Sequence, residues 1–228
     1  MKKAFVITLA GILLPIAHAD EIRFPPGTAP PGVPSSLEAG KVTYVPSTQL
    51  PPEAKALVEQ ERIDSERGFE LLDEQTFQRR ENYRDLLRQD ADVKPLLRMK
   101  LSAVEPTPLA SYAYEGIIPD GPAKSGPWTS VVRVFKRPDG VPIFLSEWDY
   151  VTDGGAILIA KDLINAKVLD KPARLVLKKS NTGAELTELA WASDRTYYTL
   201  SVWDDVSGGK NRDRYGIKWL TEIAEKLQ

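Results

Sequence analysis

Apolar and polar positions along this chain change their period twice, and the changes divide it. From Glu53 to Lys94, twenty of 42 residues are charged and helix formers dominate. Glu59–Arg62, Asp64–Arg67, Glu81–Arg84 and Asp85–Arg88 are acid-to-base pairs at i,i+3, each worth a few tenths of a kcal/mol on a helix. At about 100° per residue, Ala54, Leu57, Val58, Phe69, Leu72, Tyr83, Leu86 and Leu87 share one arc. Glu61, Ser65, Gly68 and Arg79 interrupt it, and Gly68 is the expected break between two helices. Pro95 ends this charged helical region, residues 53–94.

After Pro106 the period becomes two. Strands are expected over Ser111–Ile118, Trp128–Arg137, Val141–Tyr150, Ala173–Lys179, Glu185–Ala192 and Thr196–Trp203. Ala156–Leu163 is an apolar run that fits a strand or a short helix. Pro138-Asp139-Gly140 makes a turn because proline presets φ and glycine takes positive φ. Asn181-Thr182-Gly183 and Ser193-Asp194-Arg195 are polar turns. Ile217, Leu220, Ile223, Ala224 and Leu227 then recur at helical spacing. The expected fold class is α+β: an antiparallel sheet of five to seven strands over residues 106–228, with a charged N-terminal helical region and a C-terminal helix.

The first 52 residues follow neither period. Lys2 and Lys3 precede an apolar run from Ala4 to Ile16 that ends in Ala17-His18-Ala19, the form of a secretory signal peptide cut after Ala19. The expected location is the periplasm, with no integral membrane span once residues 1–19 are removed. Residues 20–52 hold eight of the eighteen prolines and read as an extended arm, either a tether or a recognition segment. Val42-Thr43-Tyr44-Val45 is its one strand-like patch, suited to docking on a sheet edge.

Composition then narrows the chemistry. Signal cleavage would take 30 basic residues to 28 against 32 acidic ones, a formal charge of −4 that gives no attraction to nucleic acid. The single histidine, His18, lies within the signal, and there is no cysteine. Triads built on histidine, thiol nucleophiles and imidazole or thiolate metal sites are therefore excluded, and no cofactor or metal is expected. Glu147 and Asp149, two apart on a strand, share a face and form a carboxylate pair of the kind glycosidases use, although such same-face acids are usually the solvent-facing residues of a half-buried strand. Ser207-Gly-Gly-Lys210 has the Ser-x-x-Lys spacing of penicillin-recognising enzymes, but its setting is a loop and the companion motifs are absent.

A non-enzymatic binding role is the leading expectation. Tyr198, Leu200 and Val202 face one way on their strand, and Tyr197 and Trp203 the other, so both sheet faces carry apolar material. Either a helix covers each face, the charged region on one side and Ile217–Leu227 on the other, or one face lines a groove for a lipid, a peptide or a protein. Trp148, Tyr150, Tyr197, Trp203, Lys210 and Arg212 are the candidate binding residues, the last two on the polar loop Asp204–Arg214. The expected partner is an envelope protein or lipid. A periplasmic inhibitor of a toxin and an envelope glycan hydrolase are the alternatives.

Residues 165–228 run from a strand into Lys171-Pro172-Ala173, then Leu189-Ala190-Trp191, a short turn, Tyr198-Thr199-Leu200-Ser201, and a helix closing on Ile223-Ala224-Glu225-Lys226-Leu227. This order resembles the C-terminal extracytoplasmic domain of anti-sigma and envelope-stress regulators, related in shape to the periplasmic lipoprotein-carrier fold. The resemblance implies a curved antiparallel sheet, a non-enzymatic role and an apolar concave face. The chain departs from that family in lacking a recognisable sigma-binding segment and in carrying Asp204–Arg214 as an insertion, so only the fold is carried over.

Overall fold

The computed structural model describes residues 40–50, 52–72, 77–78, 82–121 and 125–227. The expected signal peptide, residues 1–19, and the arm as far as residue 39 lie outside the described residues.

The chain folds as α+β around one large sheet. Its strand order is β2 (Glu70–Leu72), β8 (Lys171–Ser180), β9 (Glu185–Ala192), β10 (Thr196–Val202), β5 (Pro142–Asp149), β4 (Ser130–Lys136) and β3 (Ala113–Asp120), while β7 (Ala166–Val168) also pairs with β8. β7 and β2 lie along opposite ends of the same β8 edge. All the pairings are antiparallel except β2 with β8, so the sheet is mixed and eight-stranded, not an antiparallel sheet of five to seven strands. The reason is tertiary: β2 reaches β8 from a distant part of the chain, and three residues contain no pattern that fixes direction. A second, two-stranded parallel sheet joins β1 (Val42–Val45) to β6 (Ile157–Ala160). The strand-like patch of the arm is thus built into the fold, on a partner of its own and not on the main sheet's edge.

The charged region contains one long helix, α1 (Pro52–Arg67), ending at Gly68, whose φ of +88° an L-residue rarely adopts. No single second helix follows Gly68: Phe77 and Gln78 are helical, and the other described residues up to Lys94 divide into shorter elements. In its place come β2, a 3-10 turn at Tyr83–Leu86 and the short α2 (Asp90–Val93). Leu86, counted in the apolar stripe, is half exposed, because 3-10 geometry turns its side chain off the helical arc.

α3 (Arg212–Tyr215) and α4 (Ile217–Lys226) close the chain. Leu220, Ile223, Ala224 and Leu227 of the final segment are wholly buried against Ile143, Leu145, Leu189, Leu200 and Val202 on one sheet face. Burying an aliphatic side chain stabilises by about 1.5–3 kcal/mol, so this helix seals the main core. The segment preceding β3 shares that face, with Trp219 Nε1 donating to the Tyr112 hydroxyl at 3.0 Å. The opposite face carries α1, the β1–β6 pair and the Tyr83–Leu87 segment. One face is thus covered by helix, and the other in part by the β1–β6 pair, on which α1 packs, and by the Tyr83–Leu87 segment.

Candidate binding face

The face under α1 is built in rows. Register aligns Ser130, Trp148, Tyr197 and Ala192; then Val132, Ser146, Thr199, Ala190 and Arg174; then Val134, Phe144, Ser201, Glu188 and Val176. Alternation puts all of these on one side. The middle row has Ser146 and Thr199 at its centre and holds no ring, whereas the rows around it hold aromatic rings. Tyr197 and Trp148 are cross-strand neighbours and both half-buried. Beside them the hydroxyls of Ser146 and Thr199, themselves a cross-strand pair, have no hydrogen-bond partner among the described residues.

The candidate residues divide into three places. Trp148, Tyr150 and Tyr197 meet in one cluster with Ile157 and Ala192. Tyr150 is fully buried there, its hydroxyl donating to the Ser193 carbonyl at 2.9 Å, which makes it a packing residue. The Trp148 indole donates to Asp153 at 3.1 Å. Trp203 lies on the same face but at the other end of the strands, stacked on Phe77 with ring centroids 5.1 Å apart. Lys210 and Arg212 are exposed at that far end too, where Asn211 donates to Asp139 of the β4–β5 turn. They do not join the Trp148–Tyr197 pair, because β10 carries the chain the length of the sheet before the loop begins.

Sequence reasoning missed a charged cluster at the edge of this face. Arg174 on β8 meets Glu61 of α1 at 3.0 Å and Glu70 of β2 at 2.5 Å. Lys178 pairs with Glu188 at 2.7 Å, and Ser201 donates to the same carboxylate at 3.1 Å. Burial pushes the Glu61 carboxyl up to about 7, Arg174 opposing and Glu70 and Asp64 adding to the rise. One Glu61 oxygen is buried and touches Arg174 without an aligned hydrogen bond, so the contact is an ion pair only. Burial likewise raises the Tyr197 phenol, with Glu188 and Glu61 adding negative charge nearby and Arg174 opposing. A cavity of about 30 Å³ lies between the sheet and the β6 region, lined by Arg174, Ala190, Tyr197, Leu163 and Pro172 among others. The available signal was the interruption of the α1 stripe: Glu61 follows Ala54 and Val58 on one helix face, so it points where they point.

Glu147 and Asp149 have intramolecular partners. Glu147, fully buried, accepts from Arg133 Nε at 2.7 Å and from the Ser102 amide at 2.8 Å. Asp149 accepts from the Thr152 amide and hydroxyl at 2.8 and 2.9 Å and from Arg195 at 2.7 Å. In the Ser-x-x-Lys stretch, Ser207 donates to Asp205 and shapes the loop. Among the described residues, no group of three or more acidic, histidine or cysteine side chains is placed to hold a metal, and no helix is long and apolar enough to cross a membrane. Comparison with protein-family models, curated proteins and solved structures finds no match for this chain.

Proposed function

We propose that this chain is an exported, non-enzymatic binding protein of the periplasm that engages an envelope component, a lipid, a lipoprotein or a protein, through the face built on Trp148, Tyr197, Ser146 and Thr199. The observation that carries the reading is the half-buried aromatic pair set beside two hydroxyls that have no hydrogen-bond partner among the described residues. Rings supply apolar contact area, and the hydroxyls supply hydrogen bonds that fix orientation, the usual division of labour in a ligand site. The engaged carboxylates at Glu147 and Asp149 give no comparable support to hydrolysis.

The test is native mass spectrometry of protein purified from its own cell envelope. A retained acyl-bearing mass or a defined protein partner is expected with the wild type. Ser146→Trp, which fills the space over the middle row, should lose it, whereas Lys210→Ala and Arg212→Ala should keep it. An empty wild-type spectrum, or equal retention in Ser146→Trp, refutes the reading.

A further inference from the structure

Helix α1 is held in place by two different kinds of contact, one with the small β1–β6 sheet and one with the large sheet. Its first half buries Ala54 and Val58 against Val45, Leu158, Ala160 and Leu163. Its second half puts charge over β8. There Glu61 and Glu70, on separate elements, share the single guanidinium of Arg174. The side chains of Glu61 and Arg174 are each only 12% exposed and that of Glu70 14%, so water screens these charges little.

The surrounding groups relieve Glu61 only in part, through the charge of Lys178. On α1 itself, Asp64 is buried one turn on and is engaged by Gln60 at 3.1 Å and Arg67 at 3.4 Å. On β8, Lys178 lies 3.9 Å from Glu70 but is drawn to Glu188 of β9 at 2.7 Å. On β10, Tyr197 is a neutral phenol close enough to feel both Glu61 and Glu188. A buried carboxylate that shares its nearest cation among the described residues with a second acid is costly when ionised and cheap when protonated.

We propose that α1 is a proton-dependent clasp, closed over β8 when Glu61 is protonated and loosened when Glu61 ionises. Docking and proton uptake are then linked: whatever favours the protonated carboxyl favours the closed helix. The hinge is present in the backbone, since Gly68, with its positive φ, joins α1 to β2. Loosening uncovers the apolar strip under Ala54 and Val58 and bares Arg174 beside the cavity that Tyr197 also lines. The clasp is independent of what binds the neighbouring face.

The chain contains no cysteine, so introduced ones carry the only labels. Lys55→Cys on α1 and Lys167→Cys on β7, both at exposed positions, are spin-labelled in the full chain, and their separation is measured by pulsed electron resonance at pH 4.5, 7 and 8.5. Expected is one short distance at acid pH, joined by a longer population as pH rises. The docked-to-loosened ratio should fall by up to about tenfold per pH unit between 4.5 and 7, then level off. Glu61→Gln should hold the short distance throughout. Glu70→Gln, which leaves Arg174 to Glu61 alone, should shrink the response. A distribution that does not change with pH, or one that changes as much in Glu61→Gln and Glu70→Gln as in the wild type, overturns the proposal.

Discussion

Arg133 and Glu147 form a buried ion pair between adjacent strands, Nε to Oε2 at 2.7 Å, with side chains 8% and 0% exposed. The pair clasps Ser102 as well: the Arg133 guanidinium donates to its carbonyl at 2.9 Å and Glu147 accepts its amide. The Ser102 hydroxyl completes the contact with Tyr198 at 2.9 Å. Two charges on the sheet thereby pin the segment that crosses the core face.

Removing one partner strands the other in a dry site. Glu147→Leu alone should destabilise by about 3–5 kcal/mol, and the double variant Arg133→Met, Glu147→Leu by clearly less. Urea unfolding of the three proteins checks this. Equal losses in single and double variants would mean that the ion pair is not the relevant interaction.

The seal of the main core rests on α4. Leu220 is 0% exposed, so Leu220→Ala leaves a cavity and should cost about 2–5 kcal/mol, read as a lower urea midpoint with unchanged slope.

Arg137 is also wholly buried, held by Asp139 and Asp204 and lying 4.0 Å from the Tyr215 ring centroid. Lysine has no planar fork to serve two carboxylates and a ring at once. Arg137→Lys should therefore cost about 2 kcal/mol and speed amide exchange across Asp204–Arg214, since Arg137, together with the Asn211–Asp139 hydrogen bond, ties that loop to the β4–β5 turn.

Global stability should depend on pH through Glu61. Its folded value is raised to about 7 from 4.5, so it contributes stability that is fully present below 4.5 and is lost as pH rises through 7. The difference amounts to about 3 kcal/mol. Wild type and Glu61→Gln should diverge over that window, with the variant the more stable at pH 8. Parallel pH–stability curves for the two would contradict this assignment.

Much of the sheet was legible from alternation. The limits of β9 were read directly, Glu185 to Ala192, and Gly68 was correctly placed as the end of α1. The final helix lay where its apolar spacing put it. What escaped were β2, three residues long, and the partnership of β1 with β6 across more than a hundred residues. Strands so short have no period of their own and exist only where a neighbouring edge accepts them. The charge density of residues 53–94 favoured helix locally, but pairing with β8 outweighed it after Gly68. At the candidate face, Trp148 and Tyr197 could each be assigned a side of a strand. Their adjacency depends on the β5–β10 register, which the turns do not set because the two strands are far apart in sequence.

The amino-acid order by itself determined which segments alternate, which side chains share a face, and that chemistry based on histidine or thiol is closed to any chain cut after Ala19, because these follow from local geometry and composition. Only the tertiary structure decided that Glu61 is buried beside Glu70 on one guanidinium, and that Glu147 and Asp149 are occupied by Arg133 and Arg195. A charge has no fixed cost until its neighbours and its distance from water are known, and those are supplied by residues brought together from far along the chain.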